Sequence, residues 1–183
     1  MPTTTIAVLL FPRRTALDAI GPYGALQRLP GTELVFVGAE VGEVRTENGF
    51  RGRRADATLA DAPAPEVVGG PGGIGTRALM DDAATLAWLR SAHETSRFTT
   101  SVCTGSLLLG AAGLLDGLTA TTHWACRDEL AATGALPVPD RVVDGYGLTA
   151  PIAERVKASG ADLLITVDAG IASVEGVARA KAL

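Results

Sequence analysis

The chain has 183 residues, carries a net charge of −4, is 47% hydrophobic and 20% charged, and contains 22 glycines and 10 prolines. That length suits one domain, residues 1–183, with a sizeable core, and the composition suits an α/β protein with many short turns rather than a disordered chain. No block of Lys or Arg is long enough to track a phosphate backbone, which disfavours nucleic acid and anionic membranes as partners, and the apolar run at residues 6–11 is too short for a signal or membrane segment.

Residues 4–11, Thr-Thr-Ile-Ala-Val-Leu-Leu-Phe, read as a buried strand of a parallel sheet, closed by a Pro12-Arg-Arg turn. Leu17, Ile20, Tyr23 and Leu26 then recur at roughly helical spacing, and Gly21-Pro22 fits best in the first turn of that helix. Asp18 precedes the proline, where it either caps amides or points into a cleft. Residues 33–37 alternate apolar and polar side chains as a second strand does. Asn48-Gly49 marks a hairpin between residues 43–46 and 50–54, with Arg51, Arg53 and Arg54 on a solvated face.

Residues 66–76 predict a short strand running into a glycine-rich loop. The spacing fits neither a dinucleotide fingerprint nor a Walker loop, the latter because no Gly-Lys-Ser/Thr follows. Pro71-Gly72-Gly73 is either a plain turn or a set of bare backbone amides that an anion or oxyanion could use. Residues 82–96 predict an amphipathic helix with Leu86 and Leu89 inward and Asp82 near its start.

Residues 98–115 change from a β-rich run to an apolar, small-residue helix, and Cys103 stands at the break. A residue between a strand end and a helix start is lifted onto a tight turn, as in the nucleophile elbow of hydrolases. The free amides of the helix start would favour a thiolate there, and Gly105 allows close backbone approach just beyond it. The helix is apolar nearly all round, so both its faces should be covered. Residues 118–124 predict a further strand ending in His123 and Trp124, with His123 on the ligand-binding edge of the sheet, and residues 125–133 predict a helix. Cys103 and Cys126 are the two cysteines and make no disulfide framework, so a reducing cytoplasm is the expected location.

Four motifs over residues 4 to about 137 together resemble the ThiJ/PfpI superfamily of the class I glutamine amidotransferase-like fold, and within it the isonitrile (isocyanide) hydratases: Leu17-Asp-Ala-Ile-Gly-Pro22, Pro71-Gly-Gly-Ile-Gly-Thr-Arg77, Val102-Cys-Thr-Gly-Ser-Leu107 and Ala120-Thr-Thr-His-Trp124. The resemblance implies a three-layer flavodoxin-like sandwich with a mostly parallel central sheet, a homodimer and a small-molecule substrate, with no cofactor or metal. It implies Cys103 as the nucleophile on the terminal carbon of an isocyanide, Asp18 as a desolvated proton donor and Thr104 beside the sulfur. The amides of Gly72, Gly73 and Thr104 would polarise the intermediate or the attacking water, and His123 would line the substrate site. PfpI-type peptidases resemble the chain less, since they carry a His directly after the nucleophile where this chain has Thr104. The lobes of AraC-type regulators share the Cys-Thr-Gly and Thr-Thr-His-Trp motifs and bind ligands rather than turn them over, but they continue into a basic helix-turn-helix domain that this sequence lacks.

From residue 138 to residue 183 the sequence departs from that pattern and is similar to part of a RecJ-type exonuclease of the DHH phosphoesterase family, in which the position of Asp168 is a metal ligand. The remaining metal-binding aspartates and the Asp-His-His motif are missing, so exonuclease activity is not expected. The segment is either a foreign tail, which would make the chain an inactive chimera, or a replacement that completes the sheet: it reads as a helix over residues 151–159, a strand over 162–167 and a helix over 174–183, a unit able to extend an α/β sheet.

Overall fold

Residues 6–11 contain no polar side chain, and all six are buried in the computed structural model, which describes residues 3–49 and 52–143. They belong to β1 (Thr4–Leu9) and its exit, in the middle of a five-stranded sheet. The chain continues through α1 (Ala16–Leu26), β2 (Thr32–Gly38), the hairpin β3 (Gly42–Arg45) and β4 (Gly52–Ala55), and β5 (Ala57–Thr58). Then come β6 (Val67–Gly70), α2 (Thr76–Leu79), α3 (Ala83–Thr95), β7 (Phe98–Ser101) and α4 (Gly105–Ala111). The last described elements are β8 (Thr119–Ala120), a 3-10 turn (Trp124–Cys126), α5 (Arg127–Ala131) and β9 (Leu136–Pro137). The helix, strand and helix expected over residues 151–183, and Asp168 with them, lie outside the described residues.

The sheet order is β5-β2-β1-β6-β7 and each adjacent pair is parallel. Strand period sends Ile6, Val8 and Leu10 to one face, against Ala19, Tyr23 and Leu26 of α1 and against Phe36. Ala7, Leu9 and Phe11 point to the other, packing with Trp88 and Leu89 of α3, Leu107 to Leu109 of α4 and Leu130 of α5. The result is the three-layer sandwich. Because β2 lies on one side of β1 and β6 on the other, the winding direction reverses at β1, which opens a crevice at the carboxyl ends of β1 and β6. No helix of the described residues is long and apolar enough to cross a membrane.

Four local expectations are corrected. Pro22 lies in the interior of α1, not in its first turn. The missing amide costs one helical bond, but Gly21 before it has no Cβ to meet the proline ring, and the helix runs on to Leu26. The inward face of α1 is consequently set by Asp18 and Ala19, while Leu17 and Ile20 are exposed. Arg53 is not on a solvated face: its guanidinium lies 4.4 Å from the Phe36 ring centroid and 5.1 Å from that of Tyr23. It shares this corner with Arg14, which is buried at 1% exposure and donates to the Val44 carbonyl at 3.0 Å. Burial first, then the charge of Arg53, lower the pKa of Arg14. Finally, β8 does not join the central sheet; it pairs in parallel with β9 in a separate two-stranded ribbon, so His123 follows a ribbon strand and not an edge of the main sheet.

β6 and α4 meet at Gly105. A Cβ there would run into the carbonyl oxygen of Gly70 and come within 2.9 Å of that of Pro71, both backbone atoms that move only if the β6 exit moves. Gly105→Ala should therefore cost about 3 kcal/mol or more, as an overpacked backbone contact with no flexible side chain to yield. Urea unfolding of the variant beside the parent chain measures this.

Candidate active site

Cys103 occupies the step between β7 and α4 with φ of 55°, a left-handed backbone conformation that non-glycine residues adopt at some cost. The step is stitched on both sides: the amide of Val102 donates to the Gly70 carbonyl at 3.0 Å and that of Gly105 to the Val102 carbonyl at 2.9 Å. The carbonyl of Cys103 accepts hydrogen bonds from the Ser106 hydroxyl at 3.3 Å and the Thr122 hydroxyl at 3.2 Å. The side chain of Cys103 is half-buried, that of Thr104 fully buried.

Of the two readings of Asp18, the one that points it into the cleft is correct. It is the third residue of α1, whose N-cap is Thr15. At 8% exposure it accepts a hydrogen bond from the Gly72 amide through Oδ2 at 3.0 Å, and it meets the Cys103 thiol both as a charge and as a hydrogen-bond partner. Gly72 fills the angle between them: a Cβ on it would lie 2.8 Å from Asp18 Oδ2, 2.9 Å from Cys103 Cβ and 2.6 Å from the Thr104 amide nitrogen. Gly73, at φ of 128°, donates its amide to the Thr104 hydroxyl oxygen at 2.8 Å, and that hydroxyl donates back to the Gly73 carbonyl at 3.1 Å. The loop is thus more than a plain turn, but its two glycine amides are engaged by Asp18 and Thr104 and do not face an open site. In this arrangement they hold the acid and the hydroxyl in place; of the three amides expected around the reacting atom, that of Thr104 is the one that acts on the sulfur, together with the Thr104 hydroxyl.

The expected bias toward a thiolate is reversed. Burial and then the Asp18 carboxylate raise the Cys103 pKa above the usual thiol value, and the Thr104 amide and hydroxyl offset this only in part. A helix of seven residues has few aligned peptides to contribute. The thiol consequently gives up its proton reluctantly beside the carboxylate.

His123 is exposed, lies against the Trp124 ring, and accepts from the Ala125 amide through Nδ1 at 3.3 Å, which leaves Nε2 as the protonated nitrogen of the neutral ring. It lines a cavity of about 590 Å³ together with Cys103, Thr122, Trp124 and Arg127. Asp18 instead borders a small apolar slot among Ile6, Val8, Pro22, Leu26 and Val67. Among the described residues no group of three or more His, Cys, Asp or Glu is placed to hold a metal ion. Two contacts were missed in the sequence. Arg77 grips Glu129 through Nε at 2.9 Å and Nη2 at 2.8 Å and donates to the Cys126 sulfur at 3.0 Å, joining α2 to α5. Thr122 lies inside the Thr-Thr-His-Trp motif, and its place in that motif is the only signal it carries in the sequence.

A cysteine on a left-handed step at the carboxyl edge of a parallel sheet, faced by a carboxylate from the first helix, defines a flavodoxin-like α/β protein of the cysteine-elbow class. The chain belongs to the DJ-1/PfpI family, whose profile matches residues 4–160. It is 45% identical over 153 residues to an isonitrile hydratase from Pseudomonas putida, covering 80% of this chain and 67% of that protein. The crystal structure of a ThiJ/PfpI family protein from Pseudomonas syringae superposes with a TM-score of 0.76 at 32% identity, covering 100% of this chain and 85% of that one. The C-terminal part is similar to the single-stranded-DNA-specific exonuclease RecJ from Salmonella typhimurium, with 54% identity over 46 residues, or 25% of this chain and 8% of that protein.

The two causes of the raised thiol pKa can be separated. Asp18→Asn removes the negative charge and leaves the burial, so the pH midpoint of Cys103 alkylation by iodoacetamide should fall relative to the parent while staying above that of a free thiol. Rates measured across pH, with labelled peptides resolved by mass spectrometry, give both midpoints.

Proposed function

We propose that the chain adds water to an isocyanide to give an N-substituted formamide, with Cys103 as nucleophile and Asp18 as the group that moves protons. The observation that carries this reading is the Asp18 carboxyl set against the Cys103 thiol, out of water, by the Gly72 amide. The similarity to the Pseudomonas putida isonitrile hydratase supports the same reading.

In this scheme the pair begins with one proton. As the sulfur attacks the terminal carbon, Asp18 takes the thiol proton and delivers it to that carbon, giving a neutral thioimidate in which carbon is bonded to sulfur and hydrogen and doubly bonded to nitrogen. Water then adds to the same carbon. Asp18 passes one of its protons to nitrogen and, on collapse of the adduct, the hydroxyl proton to the departing sulfur. The formamide leaves, and thiol and carboxylate are restored with atoms and charge balanced. Thr104 supplies its amide to the sulfur, and its hydroxyl is braced by Gly73. His123 and the walls near it contact the nitrogen substituent.

Charge in this reaction is relayed by protons at Asp18 and never has to rest on an alkoxide. That suits a site whose glycine amides already have acceptors, and it suits peptide hydrolysis poorly, since an amide-bond tetrahedral intermediate needs free donors for its oxyanion.

The test is conversion of cyclohexyl isocyanide to N-cyclohexylformamide, followed by NMR. The parent chain should turn over and Cys103→Ala should not; formamide production by Cys103→Ala would refute the scheme. Asp18→Asn should lower kcat by about 10²- to 10⁴-fold, the usual contribution of a positioned proton-transfer group, with the melting temperature little changed.

A further inference from the structure

We propose that Thr122 is a positioning residue for Cys103, and that its hydroxyl, donated to the Cys103 carbonyl from a separate part of the chain, holds the nucleophile's backbone in the left-handed conformation that turns the sulfur toward Asp18. The inference deepens the hydratase reading and rests on it only for its kinetic test.

The Cys103 carbonyl is in an unusual position. At φ of 55° it stands outside α4, whose first residue is Gly105, and the amide of Leu107 donates to Thr104 instead, at 3.1 Å. No backbone amide of the described residues donates to Cys103, and its carbonyl is satisfied by two hydroxyls, Ser106 at 3.3 Å and Thr122 at 3.2 Å. Ser106 lies on α4 itself and moves with the elbow. Thr122 is 19 residues away in sequence, in the link between β8 and the 3-10 turn, so its bond fixes the elbow relative to a second body.

That body is anchored in turn. The neighbouring Thr121 hydroxyl donates to the Asp140 carbonyl at 2.6 Å, and Ala120 and Pro137 are partners in the β8–β9 ribbon. A left-handed cysteine is held only where surrounding contacts outweigh its intrinsic backbone preference. A hydroxyl tied to an anchored strand meets that need in a way a mobile surface side chain would not. The Thr-Thr-His-Trp motif thus acts on the reaction through its second threonine, behind the nucleophile, as well as through any contact its histidine makes in the cavity.

The discriminating pair is Thr122→Val, which keeps the shape and removes the hydroxyl, and Thr122→Ser, which keeps the hydroxyl. Each is read in two ways: the pH midpoint of Cys103 alkylation by iodoacetamide, and kcat and KM for cyclohexyl isocyanide. Loss of one neutral hydrogen bond at the elbow should lower kcat of Thr122→Val about tenfold with KM little changed. It should also move the alkylation midpoint down toward that of a free thiol, as the sulfur relaxes away from Asp18. Thr122→Ser should restore both. An unchanged midpoint in Thr122→Val overturns the assignment, as does equal impairment of the two variants, which would make the effect one of packing. Alkylation reads Cys103 directly, so a parent chain that leaves the isocyanide intact defeats the hydratase reading and still leaves the midpoints to decide the role of Thr122.

Discussion

The close approach of two backbones, the exit of β6 and the turn into α4, is the constraint on which the rest of this site depends. The β6–β7 pairing ends where the Val102 amide reaches the Gly70 carbonyl, and Gly105 then packs against that same carbonyl with no room for a side chain. From this contact the other features follow. The chain must leave the sheet abruptly, which puts Cys103 in a left-handed conformation; the glycine loop must lie directly beneath it, which places Gly72 against both Cys103 and Asp18. The sheet order contributes the remaining member, because the reversal at β1 brings the start of α1 to the same crevice edge as the ends of β6 and β7.

The electrostatics follow from the same crowding. Close packing removes water from the thiol and sets a carboxylate beside it, and both effects favour keeping a proton in the pair. A cysteine in these surroundings is not a standing thiolate of the sort found at an exposed helix start. In the proposed hydration it becomes reactive when a substrate can accept the proton in the same event, which would couple the reactivity of Cys103 to the position of Asp18 instead of leaving it a property of the sulfur alone.

Much of this was legible in the sequence, for reasons that differ by residue. β1 declared itself because a strand covered on both faces needs no polar side chain, and the elbow because a β-rich run turns into a small-residue helix at one cysteine. Asp18 could be named but not oriented, since the same carboxylate chemistry serves a cap and a cleft. The glycine amides show the limit most clearly: sequence reveals where donors without side chains will be, and only the folded chain reveals which acceptors reach them. Arg53 misled because charge in a hairpin ordinarily means solvent, while here the Tyr23 and Phe36 rings, distant in sequence, provide a surface for its guanidinium to lie on. Sequence pattern does not separate the β8 ribbon from the main sheet, because two strand residues carry too little pattern to say which partner they choose.

The packing around Gly72 bears on how such a protein can change over generations. The Cys103–Asp18 pair is locked by main-chain atoms and by a residue that tolerates no side chain, so few substitutions there leave the pair intact. The cavity wall formed by His123, Trp124 and Arg127 lies beyond β8, in the link, the 3-10 turn and α5, and these exposed side chains are free to vary. On the proposed reading, inheritance can therefore keep one reaction and redraw its clientele, altering which molecules are admitted without disturbing the atoms that would transform them.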